Sequence, residues 1–219
     1  MSKARRQFAV LGLGRFGSHL ALTLAQKGYR VLGLDHSEKM VDSICDCVTM
    51  AKVLDCTDTE ALREAGVANC EVAILCIGNN IEASILALVA LQELKVPYII
   101  AKAQNDVHGR VLNKMGAHEV VNPEKDMAIR LANRLTFSNL LDFIELSPDY
   151  SLAEEKAPPH LVGKSLSDLD LQHRARISIV AIKRNDHLLI APSADERIQA
   201  GDAIVLIGST EAVNTFLKE

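Results

Sequence analysis

Residues 7–35, QFAVLGLGRFGSHLALTLAQKGYRVLGLD, decide how this 219-residue chain folds. Phe8 to Leu11 is an apolar run of strand length. Gly12, Gly14 and Gly17 follow in G-x-G-x-x-G spacing, and residues 16–27 read as a helix closed by Gly28. A second apolar run, 31–34, ends on Asp35. Each part suits a phosphate-bearing ligand. Gly12 permits the tight turn out of the strand, Gly14 lets the backbone approach a phosphate, and Gly17 lets the helix pack close to the sheet. The start of the helix offers unpaired N–H groups and the positive end of its dipole. Asp35 lies roughly 20 residues beyond the glycines, where a carboxylate can accept hydrogen bonds from ribose hydroxyls. Strand, glycines, helix, strand and terminal acid together predict a nucleotide site; a G-x-G-x-x-G alone would be weak. Arg15, inside the turn, can grip phosphate oxygens in bidentate fashion, which points to a more highly charged ligand such as ATP.

Working outward, the composition excludes several classes. Apolar residues make up 48% of the chain and charged residues 24%, which is ordinary for a soluble protein with a sizeable core. A formal charge of −4 leaves no basic excess to neutralise nucleic-acid phosphates. Aromatic residues are 4% and Trp is absent, so no stacking platform for single strands is expected. No apolar run approaches the roughly 18 residues needed to cross a bilayer, and Lys3, Arg5 and Arg6 do not open a signal peptide, so a cytoplasmic location is expected. The five cysteines (45, 47, 56, 70 and 76) form no C-x-x-C pair and no zinc spacing; they read as reduced structural thiols.

Beyond Asp35 the pattern keeps alternating. Ser37 reads as the cap of a helix running to about 45, and residues 48–54 as a third strand. Thr57 or Asp58 caps a helix over 60–65 ended by Gly66. Residues 72–77 are a continuous apolar run, the mark of a strand buried on both faces of a parallel sheet. A helix over 81–94, a strand over 98–101, a helix over 107–115 and a strand over 119–121 follow. Six strands alternating with helices predict an α/β, Rossmann-like doubly wound parallel sheet with right-handed crossovers. In such sheets ligands bind beyond the carboxyl ends of the strands. Polar residues gather there: Arg15, Asp35, Asp55 with Thr57, Asn79 with Asn80, Lys102, and Glu124. A helix over 127–135 and an apolar segment over 137–146, also read as helical, are expected to leave the domain and pack on a second copy of the chain. After Ser147-Pro148-Asp149 the chain turns strand-rich, with a hairpin turn at Asn185-Asp186, predicting a small C-terminal α+β domain. The expected division is 1–146 and 147–219.

The motifs FAVLGLGRFG (8–17), VLGLD (31–35), LDCTD (54–58), AILCIGNNIEAS (73–84), AKAQN (101–105), MGAHEVVNPEKDMAIRLA (115–132) and IVAIKRND…QAGDAIVLIG (179–208) span nearly the whole chain. Together they resemble the KtrA/TrkA type of potassium-uptake regulatory subunit, an RCK N-terminal domain followed by the RCK C-terminal domain. The resemblance implies a gating subunit and not an enzyme, a homodimer assembling to an octameric ring, and a separate membrane K⁺-translocating subunit of KtrB/TrkH type. It implies ATP or ADP at the glycine-rich site. Gly12, Gly14 and Gly17 would form the phosphate turn, Asp35 would hold ribose, and Asp55 and Thr57 would flank the base. Lys102 and Arg15 would answer the phosphates, and Phe16, Ile77, Gly78 and Asn79 complete the set. Glu124 would sit near the phosphates at a dimer interface and hold a cation such as Mg²⁺. In the C-terminal domain the resemblance implies cyclic di-AMP, with Ile179, Val180, Arg184 and Pro192 as contacts.

Asp35 is equally compatible with NAD(H), to which TrkA-like relatives respond; it disfavours NADP(H) by repelling a 2′-phosphate. An NAD-dependent dehydrogenase would need an acid/base residue on a substrate domain, and the seven histidines are scattered. A Rossmann-type transcription factor would need a basic recognition helix, which the sequence lacks.

Overall fold

Short β-rich runs separated by glycine turns and capped helices set the architecture of the computed structural model. It describes residues 6–78, 80–136, 139–185 and 187–218. The chain divides into two compact units, Met1–Pro123 and Glu124–Glu219.

In the first unit, strands β1 (Gln7–Leu11), β2 (Arg30–Asp35), β3 (Met50–Val53), β4 (Val72–Leu75), β5 (Tyr98–Lys102) and β6 (Glu119–Val121) alternate with helices. The helices are α1 (Arg15–Gln26), α2 (Glu38–Asp42), α3 (Thr59–Glu64), α4 (Ile81–Glu93) and α5 (Asp106–Lys114). The strands pair in parallel in the order β3-β2-β1-β4-β5-β6. Chain order runs outward in both directions from β1 and β4, so the topological switch point lies between them, at the glycine-rich turn.

Both faces of the sheet are covered. Leu62 of α3, Leu88 and Leu91 of α4 and Leu112 of α5 pack with Leu11, Leu34 and Leu75 on one face. Ala21, Val41 and Ile44 pack with Val10, Val31 and Ile74 on the other. Strand Val72–Leu75 therefore reads as an unbroken apolar run for the expected reason. Of the caps read from the sequence, Asp58 accepts the N–H groups of Glu60 and Ala61, whereas Ser37 stands at the start of α2 with no side-chain capping bond; Asn80 and Asn105 also cap, accepting the N–H groups of Ala83 and His108.

The second unit opens with helix α6 (Pro123–Thr136). Its strands are β7 (Leu140–Ser147), β8 (Tyr150–Lys156), β9 (Ile177–Arg184), β10 (His187–Ile190) and β11 (Ala203–Ser209). They form an antiparallel sheet ordered β10-β9-β11-β8-β7. The short helices α7 (Leu166–Leu169) and α8 (Leu171–Arg174) and the terminal α9 (Thr210–Phe216) complete the unit. Its core gathers Leu140, Phe143, Leu161, Ile177, Ile182, Ile204, Leu206 and Phe216.

One expectation is corrected. From Leu140 the apolar segment expected to be helical over 137–146 is an extended strand paired with β8, and so belongs to the second sheet; residues 137 and 138 lie outside the described residues. A register irregularity between Leu140 and Asp142 brings Leu140 and Phe143 into the same core. That three-residue spacing imitates a helix period. Of the hairpin turn expected at Asn185-Asp186, Asp186 lies outside the described residues; Asn185 has a left-handed φ of 52° and joins β9 to β10.

Candidate nucleotide site

The glycine turn is held by its own backbone. Gly12 adopts φ +93°, and a Cβ there would come within 3.0 Å of the Cys76 carbonyl carbon and the Ile77 nitrogen. A Cβ on Gly17 would lie 1.9 Å from the Gly12 carbonyl oxygen, so helix and turn touch where only hydrogen fits. At Gly14, by contrast, nothing lies within 4 Å of where a Cβ would stand, leaving that face of the turn open. Gly14 is also the N-cap of α1, and no side chain caps this helix. The first-turn N–H groups, which have no intrahelical acceptors, are thus left for an incoming anion.

Asp35 is more than a ribose acceptor in waiting. It is buried, its Oδ2 accepts the Leu13 N–H at 2.6 Å, and its Oδ1 accepts the Ser37 N–H at 2.8 Å. The Ser18 hydroxyl donates to the Leu13 carbonyl at 2.6 Å, so Leu13 is pinned on both sides. The Asp35 Oδ1 also lies 3.2 Å from the Nδ1 of the exposed His36, so Oδ2, with one bond, is the oxygen that keeps a lone pair for a ligand hydroxyl. The sequence reading missed this brace; its signal was present, since a carboxylate ending β2 must stand beside the turn leaving the adjacent parallel β1.

Arg15 is the first residue of α1, exposed, and forms no ion pair among the described residues. Phe16 is half-buried, and the Lys102 Nζ lies 5.8 Å from its ring centroid. The same Nζ lies 3.7 Å from where a Gly78 Cβ would be, so the ends of β1, β4 and β5 meet at this ammonium. Ile77, half-buried, packs against the core beside them. Asn79 lies outside the described residues.

Asp55 and Thr57, after β3, are tied to each other. The Asp55 Oδ1 accepts the Thr57 N–H at 2.9 Å and its hydroxyl at 2.7 Å. These bonds, the backbone one foremost, hold the Asp55 carboxyl below the usual range. Glu124 stands exposed on the first turn of α6, in the second unit. Among the described residues no three His, Cys, Asp or Glu side chains gather to hold a metal.

The cysteines are all free thiols. Burial pushes Cys56 and Cys76 up to about 12 and Cys70 up to about 11, which leaves these three protonated and unreactive.

In the second unit, Ile179 and Pro192 line a cavity of about 320 Å³ together with Leu169, Asp170, Ile177 and Ser178. Val180 and Arg184 do not line it. The Arg184 guanidinium instead holds the buried Asp202 through two bonds of 2.9 Å, and also reaches Glu196 at 3.0 Å and the Arg197 carbonyl at 3.0 Å. Burial pushes the Asp202 carboxyl up, but the bonds from Arg184 and the Gln199 N–H outweigh it and hold the carboxyl low.

Comparison with known proteins matches residues 8–123 to the TrkA-N domain and residues 152–219 to the TrkA-C domain. The Ktr system potassium uptake protein C of Bacillus subtilis (strain 168) is 41% identical over 214 residues, covering 98% of this chain and 97% of that one. The chain belongs to this family. Among solved structures, the GsuK channel superposes with a TM-score of 0.70 at 19% identity, covering 97% of this chain and 39% of the channel. A structure described as the GsuK channel bound to NAD gives a TM-score of 0.55 at 25% identity, covering 100% of this chain and 39% of that one. This chain thus spans about two fifths of the channel's length. Membership in a family of potassium-uptake proteins, and not of enzymes, also decides against the dehydrogenase alternative.

Proposed function

We propose that this chain is the cytoplasmic, nucleotide-sensing regulatory subunit of a potassium uptake system, taking ATP or ADP at the glycine-rich turn and acting on a separate membrane K⁺-translocating subunit of KtrB/TrkH type. The observation that carries the reading is the open, uncapped start of α1 at Gly14, with the Lys102 ammonium beside Phe16 and Gly78. Backbone N–H groups and one ammonium facing the same place form a cradle for phosphates. The 41% identity to a Ktr system protein over nearly the full length supports the potassium-uptake setting. No helix among the described residues is long and apolar enough to cross a membrane, in keeping with action through a separate membrane subunit.

A regulatory ligand must bind one state of its protein more tightly than another. ATP and ADP share base and ribose, so Asp35, Asp55 and Thr57 contribute little to any difference between them. Arg15 and Lys102 are the groups with the charge to sense a third phosphate. Moving an equilibrium from 1:99 to 99:1 needs about 5.5 kcal/mol of differential binding, more than one charge-assisted bond of about 1.5–3 kcal/mol supplies. A homodimer assembled into an octameric ring sums several such contributions. The exposed apolar side chains of α6 (Met127, Ile129, Leu131 and Leu135) support the dimer. In the second unit, the cavity edged by Ile179 and Pro192 is the proposed place for cyclic di-AMP.

A second reading, NAD(H) in the same turn, is favoured by the NAD-bound GsuK channel. Thermal unfolding with ATP, ADP, NAD⁺, NADH and cyclic di-AMP, with and without Mg²⁺, separates the two. A ligand at 100 times its dissociation constant stabilises by about 2.7 kcal/mol. Stabilisation by ATP and ADP is the expected result. A response to NAD(H) alone moves the assignment to the second reading, and no response to any adenine nucleotide overturns both.

A further inference from the structure

Strand β8 alternates exposed and buried positions, so Ser151, Ala153 and Glu155 share its core face. Ala153 packs with Leu140, Phe143, Ile204 and Leu206. Ser151 satisfies its hydroxyl against the Thr210 Oγ1 at 2.8 Å. Among the described residues Glu155 has no such partner. It stands opposite Leu140 of β7 and Ile204 of β11, is 2% exposed, and its Oε1 makes no hydrogen bond among the described residues.

The charged groups around it are engaged elsewhere or face solvent. On β7, Asp142 pairs with Arg130, and Glu145 is exposed. On β8 itself, Glu154 lies on the opposite face within 3.6 Å of Lys183, and Lys156 is exposed. Just ahead of β11, Asp202 is held by Arg184. On α9 Glu211 is exposed, as is His160 in the turn before α7. With nothing to offset the loss of water, burial alone pushes the Glu155 carboxyl up to about 7.

We propose that Glu155 is a proton-operated latch in the second unit: as a neutral acid it lets edge strand β7 close on β8, and as a carboxylate it loosens that edge by drawing in water. The sign follows from linkage. The unfolded or opened chain ionises near 4.5 while the closed form resists ionisation, so closure is strongest at low pH and weakens as pH rises toward about 7. Leu169 and Ile177 belong both to this core and to the wall of the cavity, so the latch and any ligand held there act on one packed body. The inference concerns the second unit alone and does not rest on the nucleotide reading.

The test uses the full chain. Amide hydrogen exchange across β7 and β8, corrected for the intrinsic pH dependence of exchange, is followed from pH 5.5 to 8.5. The opening constant of the wild type rises about 30-fold across that range, whereas Glu155→Gln and Glu155→Leu stay flat. Carbon-13 titration of the Glu155 carboxyl in the wild type gives the same answer without a substitution, with a midpoint near neutrality. A midpoint near 4.5, or identical exchange profiles for wild type and Glu155→Gln, overturns the proposal.

Discussion

Arg15 occupies the first position of α1, where a long cation can swing over the open face of Gly14 without disturbing the fold. Replacing it removes charge and nothing structural among the described residues. Arg15→Ala is therefore expected to leave ADP affinity within about 2-fold while weakening ATP by about 10- to 150-fold, since a charge-assisted bond contributes about 1.5–3 kcal/mol. Calorimetric titration with each nucleotide checks this, and equal losses for both would remove Arg15 from the sensing role. Gly17 behaves oppositely. A methyl group there meets the Gly12 carbonyl at 1.9 Å, so Gly17→Ala must push α1 away from the turn. The expected result is a destabilisation of about 1–3 kcal/mol and loss of the nucleotide-induced thermal shift, read from the same melting curves.

At the scale of elements, α6 differs from the helices of the first unit. It has no buried residue, and Met127 and Leu135 are 60% and 76% exposed. Apolar exposure of this extent on one helix is the pattern of an association surface. Met127→Glu combined with Leu135→Glu is expected to shift the proposed dimer toward monomer in light scattering, with the melting of the first unit unchanged. A dimer of undiminished stability would place the contact elsewhere. The neighbouring strand shows why one element escaped the sequence. Leu140 and Phe143 share a core three residues apart because of the irregularity before Asp142, and this spacing is indistinguishable from a helix period until the partner strand β8 is in place.

For the whole molecule, the two units have separate cores with no residue in common. They are expected to melt as two calorimetric transitions, of which a nucleotide raises only the first. Asp202→Ala, which strips Arg184 of its main partner, is expected to lower only the second. A single transition moved by both perturbations would mean that the units unfold as one. Separate responses, of the first unit to the proposed nucleotide and of the second to the proposed ligand or proton, would give a regulatory subunit two equilibria to bias.

The sequence by itself determined the parallel six-stranded unit, the glycine turn, the capped helices and the change to a strand-rich second unit. Each is written in short-range chemistry: a glycine at positive φ, a cap three residues from its N–H, an apolar run between turns. Only the tertiary structure decided what depends on distant neighbours. It turned Asp35 into a brace for Leu13, brought the Lys102 ammonium to Phe16, took Arg184 up in an ion pair with Asp202, and made residues 140–147 a strand. It also buried Glu155 between Leu140 and Ile204. A carboxylate in a strand reads as a surface residue until the two flanking strands close over it, because burial is a property of the packed sheet and not of the residue.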